Sequence, residues 1–405
     1  IFDQFPLPHS RGSSHGHSRI TRKAYGSADY YTRMMEEAYK LWETLEHEAE
    51  QTIFKQCGCL VVGPQGNNFM TETTKCLERY GIPHTNMSGE DLRLKYPMLT
   101  YPADYEAVLD HSGGVLRSDI ALTAFQTLFK KNGGHLHDGE EMTSLIPGKI
   151  VTITTNVGQY KARGVVLTVG PWATKILPPL GINVPLKPMK VDVCYWREKK
   201  AGVYSIQTFP ALVQRLNIDG KYGTYALPSY EYPGLVKPIR IAVCYWKETK
   251  RGTYHFEHFP TLIEEGGSAD SDVYALPNLE YPGHVKVCLH NGPDIDPDRR
   301  DSVDTTWVIN TMCKYVRTHF NGLEDTPSIV ETCIYTNTPD HDFILDTHPV
   351  WKNIVIGAGF SGHGFKLAPV VGKLLSQLAL GHTPSHDMGH FKIDRFFQQQ
   401  TNAKL

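Results

Sequence analysis

Ile354-Val355-Ile356-Gly357-Ala358-Gly359-Phe360-Ser361-Gly362-His363-Gly364-Phe365-Lys366 sets an apolar run directly against a turn with four glycines. A helical pattern from about Pro369 to Leu380 follows. An apolar run of this kind reads as a buried strand, and the glycines let bare backbone approach a ligand. Backbone N–H groups and a helix N-terminus then face the spot where an anionic or electron-rich group can sit. No Gly-Lys-Ser/Thr ends the turn, so it is not a Walker loop. The plain alternative is a tight structural turn.

Outward from this turn, strand and helix patterns alternate. Ile329 to Thr336 reads as a strand carrying Cys333, and Asp304 to His319 as a helix. Further upstream lie strand-like runs at Lys149 to Thr154, Gln159 to Ala162 and Val165 to Val169. The last has a buried character and stops at Gly170-Pro171-Trp172 before a helix. An amphipathic helix from Asp119 to Asn132 is closed by Gly133-Gly134. A turn-rich segment, Asp110-His111-Ser112-Gly113-Gly114, follows a helix near Asn68 to Tyr80 and a short strand from Gly58 to Val62. A long helix spans about Asp29 to Glu50, with Met34, Ala38, Leu41 and Leu45 at helical spacing. Strands alternating with helices predict a partly parallel α/β sheet.

The chain opens on Ile1-Phe2-Asp3-Gln4-Phe5, the end of a strand, with Asp3 where dinucleotide folds place an acid against a ribose hydroxyl. The loop after it, Pro8 to His17, contains His9, Ser13, Ser14 and His15 and leads to Arg19 and Arg22. Small residues let backbone approach a pyrophosphate, and arginines grip carboxylate or phosphate in bidentate fashion. A solvated polar loop is the alternative. The histidines lack acidic or cysteine partners at ligand spacing, so no metal is expected.

A net charge of −2 and a pI near 6.9 provide no field for nucleic acid or anionic lipid. No apolar run approaches the roughly 20 residues that cross a bilayer. The eight cysteines are scattered, and Cys57 and Cys59 read as buried thiols. A small-molecule ligand is the expectation.

Between Pro185 and about His290 the sequence repeats itself with a period of about 50 residues. Val193-Cys194-Tyr195-Trp196 recurs as Val243-Cys244-Tyr245-Trp246, and Phe209-Pro210 as Phe259-Pro260. The segment from Tyr225 to Gly234 recurs from Tyr274 to Gly283. Two copies do not make a solenoid. A local tandem duplication, with one slot in the sheet and one copy left over, is the expectation.

Several ordered segments resemble the monomeric sarcosine oxidase family, in particular the animal peroxisomal sarcosine and pipecolate oxidases. These are Pro8 to Gly16, Arg19 to Tyr25, Cys333-Ile334-Tyr335-Thr336-Asn337-Thr338-Pro339-Asp340, and the Gly357 to Lys366 turn. The resemblance implies an α/β (α+β) fold: a Rossmann-like FAD-binding domain of the glutathione-reductase/D-amino-acid-oxidase type, and a substrate domain with a mixed antiparallel sheet. The FAD-binding domain is expected over 1–60, 110–185 and 325–380. The substrate domain is expected over 61–109 and 186–324, with the duplication near 190–237 and 240–286.

By the same resemblance Cys333 holds FAD covalently at its 8α position, and Arg19 and His15 lie beside the flavin. Arg22 and Lys366 hold the substrate carboxylate, with Tyr274 and Tyr335 on the pocket wall. Lys286 and His290 promote reaction with dioxygen; Tyr225 and Lys237 of the first copy are the alternative occupants. Asp3, His9, Ser13, Ser14, Gly170, Trp172, Gly359, Ser361, Gly362 and Gly364 complete the cofactor set. The implied activity is oxidation of a secondary amino acid by dioxygen, releasing hydrogen peroxide, in a monomer that takes no nucleic acid and no membrane. Ala403-Lys404-Leu405 is a conservative variant of the Ser-Lys-Leu peroxisomal address, implying a peroxisomal import receptor as partner. No Gly-x-Gly-x-x-Gly turn precedes Asp3, so an incomplete sequence is expected, with a relic that holds no FAD as the competing reading. A dehydrogenase with a protein acceptor is a third.

Overall fold

The computed structural model describes residues 1–197, 211–214, 224–226, 243–244, 261–264, 273–276, 281, 284–289 and 292–397. His290, Lys237 and Ala403-Lys404-Leu405 lie outside the described residues.

The first third gives β1 (Phe2–Asp3), β2 (Ser18–Thr21), α1 (Asp29–Ala49), β3 (Phe54–Gln56), β4 (Cys59–Pro64) and α2 (Asn68–Arg79). Then come β5 (His84–Ser88), α3 (Gly89–Lys95), β6 (Tyr105–Asp110), β7 (Gly114–Arg117), α4 (Ser118–Lys131) and β8 (His137–Asp138). Helix α1 forms because Tyr31, Met34, Met35, Ala38, Trp42 and Leu45 make one buried stripe. Leu41, expected inside, is half-buried, and Trp42 takes the inward place. Burying that indole contributes on the order of 5 kcal/mol. Its Nε1 donates to the Lys366 carbonyl at 2.8 Å, tying α1 to the glycine turn. The sequence reading passes over α3, although Ser88 and Asp91 cap it reciprocally: Asp91 N–H donates to Ser88 Oγ, and Ser88 N–H to the Asp91 carboxylate.

The middle gives β9 (Met142–Ile146), β10 (Val151–Thr155), β11 (Gln159–Ala162), β12 (Val165–Leu167), α5 (Ala173–Ile176) and β13 (Lys187–Arg197). Strand β12 departs from its expected buried character, since Val166 is 42% exposed. It lies at the edge of its sheet, where one flank meets solvent, and edge position is not encoded in apolar composition.

Six short strands follow: β14 (Ala211–Gln214), β15 (Thr224–Ala226), β16 (Val243–Cys244), β17 (Thr261–Glu264), β18 (Val273–Leu276) and β19 (His284–Leu289). The chain ends with α6 (Thr306–His319), β20 (Ile329–Asn337), β21 (Ile344–Thr347), β22 (Ile354–Ala358) and α7 (Ala368–Ala379). No described helix is long and apolar enough to cross a membrane.

Parallel pairing joins β1 to β8 and β12 to β22, with β21 antiparallel on the other side of β22. Strands β2, β7 and β3 form an antiparallel sheet. The largest sheet is mixed: β4, β6 and β5 run antiparallel, and β20 lies along β13 from Lys187↔Asn337 to Tyr195↔Ile329. The division expected after residue 60 crosses β4, which belongs wholly to this sheet. One apolar cluster, with Trp42, Phe343 and Phe391, fills the space around α1, α7 and β21–β22. Another, with Trp196, Val308 and Met312, seals α6 against the large sheet.

Candidate functional site

Strand β20 alternates: Thr332, Ile334 and Thr336 are buried, while Cys333, Tyr335 and Asn337 form the half-buried face. Directly opposed residues on paired strands share a face. Cys333 opposes Val191 and Ile329 opposes Tyr195, which in turn opposes Lys286 of β19. Lys286, 5% exposed, therefore lies on the face of Cys333 and Tyr335. Position 274 opposes Cys288, two residues from Lys286, and belongs to that face too.

The early loop is braced by two arginines and meets this strand through His15. Arg19, on β2, donates to the carbonyls of Ser18 (2.7 Å), Ser13 (3.1 Å) and His15, and stands 5.3 Å over the Phe365 ring. The ring nitrogens of His15 face the carbonyls of Gly12 and Thr332, the latter at 3.0 Å and next to Cys333. Burial, reinforced by the charges of Arg19 and Arg300, lowers the His15 pKa to about 4 despite these acceptors. Arg300, 1% exposed, donates to the carbonyls of Ser10 and Arg11 and to Asp301 at 3.2 Å. Ser14 is exposed.

The glycine turn is conformationally demanding. Gly359 has φ +64°, and a Cβ there would come within 2.5 Å of Thr338 Cγ2. Gly362 (φ 77°) and even Ser361 (φ 46°) are left-handed. Ser361 is held by donating from its backbone N–H to the Thr336 carbonyl at 3.0 Å, while its Oγ accepts from Thr338 N–H at 3.2 Å. A Cβ at Gly364 would meet Phe360 at 2.6 Å.

Lys366 leaves this turn buried, its Nζ 5.5 Å from the Tyr25 ring centroid; Arg22, also buried, stands 5.0 Å from the same centroid. Burial first, and the Arg22 charge second, push Lys366 well below the usual lysine range. An anion lodged here offsets both cations. His363, beside them, is held below the usual imidazole range by burial and then by Lys366. Its Nε2 faces the His341 carbonyl at 3.1 Å, while its Nδ1, like Asn337 Oδ1, is buried with no hydrogen-bond partner among the described residues.

A second group gathers at the chain start. The Asp3 carboxylate accepts from Phe5 N–H at 3.0 Å and from His9 Nε2 at 3.2 Å. Phe5 packs at 5.5 Å from Trp172, whose Nε1 donates to Asp298 at 2.7 Å, and Gly170 makes the bend with φ 54°.

Two contributors were not anticipated from sequence, Arg300 and His363. Nothing in the local pattern at Arg299-Arg300-Asp301 marks a buried arginine, whereas His363 stands inside the glycine turn and was visible there. Among the described residues no three His, Cys, Asp or Glu side chains are placed to share a metal ion. Two buried cations, Arg22 and Lys366, thus gather at the end of the glycine turn, an arrangement that favours a negatively charged group beside them.

A family model described as DAO, FAD dependent oxidoreductase, matches residues 1–378. The protein named peroxisomal sarcosine oxidase from Mus musculus is 40% identical over 98% of this chain and 89% of its own length. Monomeric sarcosine oxidase from Bacillus sp. (strain NS-129) is 30% identical over 98% of this chain and 90% of its own. Among solved structures NikD, an amino acid oxidase of nikkomycin biosynthesis, superposes with a TM-score of 0.71 at 20% identity, covering 96% of this chain and 90% of NikD. Glycine oxidase from Geobacillus kaustophilus gives 0.69 at 14% identity, covering 98% and 91%. At such identities the likeness is one of fold.

Proposed function

The chain belongs to the sarcosine oxidase family of FAD-dependent oxidoreductases, with their mixed α/β fold, and from that premise we propose that it oxidises secondary amino acids such as sarcosine or L-pipecolate. Two electrons and two protons leave the C–H and N–H of the substrate, giving a C=N product; dioxygen takes them and becomes hydrogen peroxide. The observation that supports this reading is the pair of buried cations, Arg22 and Lys366, both against the Tyr25 ring at the end of the glycine turn.

The residues fit the flavin cofactor. Cys333 stands half-buried on β20, and His363 Nδ1 and Asn337 Oδ1 are buried with no hydrogen-bond partner among the described residues. Bound FAD supplies the two-electron acceptor. In this reading Cys333 holds it covalently, with Arg19 and His15 beside its ring. Gly359, Ser361, Gly362 and Gly364 line the turn, and Asp3, His9, Ser13, Ser14, Gly170 and Trp172 serve its nucleotide half. Arg22 and Lys366 grip the substrate carboxylate and so orient its C–H bond. Tyr335 and Tyr274 form the wall. Lys286, with His290, stabilises negative charge developing on dioxygen, as a fixed cation in a dry site does. The protein acts as a monomer in the peroxisome, delivered by an import receptor that reads Ala403-Lys404-Leu405.

Purified chain supplied with FAD is expected to keep its yellow colour through acid precipitation, and Cys333→Ala to lose it. Flavin-loaded protein is expected to release peroxide with sarcosine or L-pipecolate. Failure with both amines, in protein whose bound flavin is verified by absorbance, removes the oxidase reading.

A further inference from the structure

The repeat addresses one place in the sheet twice. Strand β4 has two hydrogen-bonding edges, and β6 fills one of them, from Cys59↔Asp110 to Pro64↔Tyr105. The other edge meets β14 in the register Ala211↔Cys59, Leu212↔Leu60, Val213↔Val61, Gln214↔Val62. It meets β17 in the same register: Thr261↔Cys59, Leu262↔Leu60, Ile263↔Val61, Glu264↔Val62. Strand β19 is claimed in the same way. With β13 along one edge, its Val287 is opposed both by Ala226 of β15 and by Ala275 of β18.

The sequence explains the coincidence. Ala211-Leu-Val-Gln and Thr261-Leu-Ile-Glu offer β4 the same pattern, an apolar pair followed by a polar residue, and Tyr-Ala-Leu-Pro begins at Tyr225 in one copy and at Tyr274 in the other. Register is set by the hydrophobic pattern, so equal patterns select equal registers. One edge carries one row of N–H and C=O groups, and strands stand about 4.8 Å apart in a sheet. Two strands cannot both complete their bonds in that row.

We propose that the two copies are alternative occupants of a single slot between β4 and β19, and that the seated copy supplies one wall of the site. The exclusion rests on the registers alone; its consequence for substrate choice rests on the oxidase reading. Positions 225 and 274 each neighbour the alanine that opposes Val287, so either position falls in register on the face of Lys286 and Cys333. The copies are not equivalent beyond it. The link between the two strands carries Arg215, Asp219 and Lys221 in the first copy, but Glu265, Asp270 and Asp272 in the second. Exchange of the seated copy therefore exchanges which charged link is joined to the seated strands, and with it the preferred amine.

Amide hydrogen exchange on the full chain, read by mass spectrometry of peptides covering 211–214 and 261–264, tests the exclusion. One copy is expected to exchange at least roughly tenfold slower than the other, or each to split into a slow and a fast population. Uniformly slow exchange in both copies, or fast exchange in both while Cys59–Pro64 stays protected, overturns the proposal. Two shortened chains sharpen it: deletion of 197–246 joins Trp196 to Lys247 and keeps Tyr274, and deletion of 236–284 joins Leu235 to Val285 and keeps Tyr225. Each retained copy is expected to be slow in a single population. A retained copy that still splits in both folded deletions overturns the single-slot reading, and if neither deletion folds the full-chain result decides. Folded deletions that show the single-slot pattern but have equal amine preference remove only the claim about the wall.

Discussion

Along β20 every position from Ile329 to Asn337 meets its own residue of β13, so that Cys333 stands opposite Val191; along β4, Val61 is met by Val213 and by Ile263. The two regions are built from the same kind of bond, and they differ in how many segments of the chain carry a given pattern. Cys333-Ile334-Tyr335-Thr336 occurs once and has one destination. The repeated strands occur twice and have one destination between them. A sheet position is specified by what can pair with it, so uniqueness in the sequence is what makes a site single-valued.

The contrast can be broken from the single-valued side by removing Arg22, which has no duplicate. Arg22→Met is expected to lower kcat/KM for a carboxylate-bearing amine about a hundredfold, about 3 kcal/mol, in a peroxide assay at constant flavin content. A loss below a few-fold places the substrate carboxylate elsewhere. The duplicated side predicts redundancy: Leu212→Ala and Leu262→Ala are each expected to cost under about 1 kcal/mol in chemical unfolding, and together about 2–3 kcal/mol. Leu60→Ala, which both copies share, is expected to match the double variant. Additive single losses sink the redundancy.

Gly359→Ala probes whether the glycine turn tolerates any alternative. The strained φ and the contact with Thr338 are expected to cost about 2 kcal/mol, measured by thermal unfolding. The smallest effect is a pH slope. His15 is held near 4 in the folded chain against an ordinary 6.5, so the unfolded chain binds its proton first as pH falls. Its contribution is full above about 6.5 and is lost toward 4, at no more than about 1.4 kcal/mol per pH unit. His15→Asn is expected to flatten that part of the stability profile; an unchanged slope assigns it to other groups.

Much of the architecture is legible in the sequence because it is periodic. The limits of α1, α2, α4 and α7 follow from their apolar stripes, and Cys333, Arg19, Arg22 and Lys366 stand out inside segments that resemble one family. What is not legible depends on contact across the chain. Val166 has the composition of a core residue, but β12 ends its sheet. Helix α3 is short, and its Ser88/Asp91 cap is the signal that could have revealed it. Arg300 is buried against residues 290 positions away, a distance at which local pattern says nothing.

That last contact has a consequence for biogenesis. The carbonyls of Ser10 and Arg11 close onto a guanidinium that leaves the ribosome some 290 residues later, and the imidazole of His15 closes onto Thr332 later still. The early loop must therefore wait, tethered but undocked, while most of the polypeptide is synthesised. Completion of the centre is therefore a late step of synthesis, open only once the residues up to Thr332 have been made.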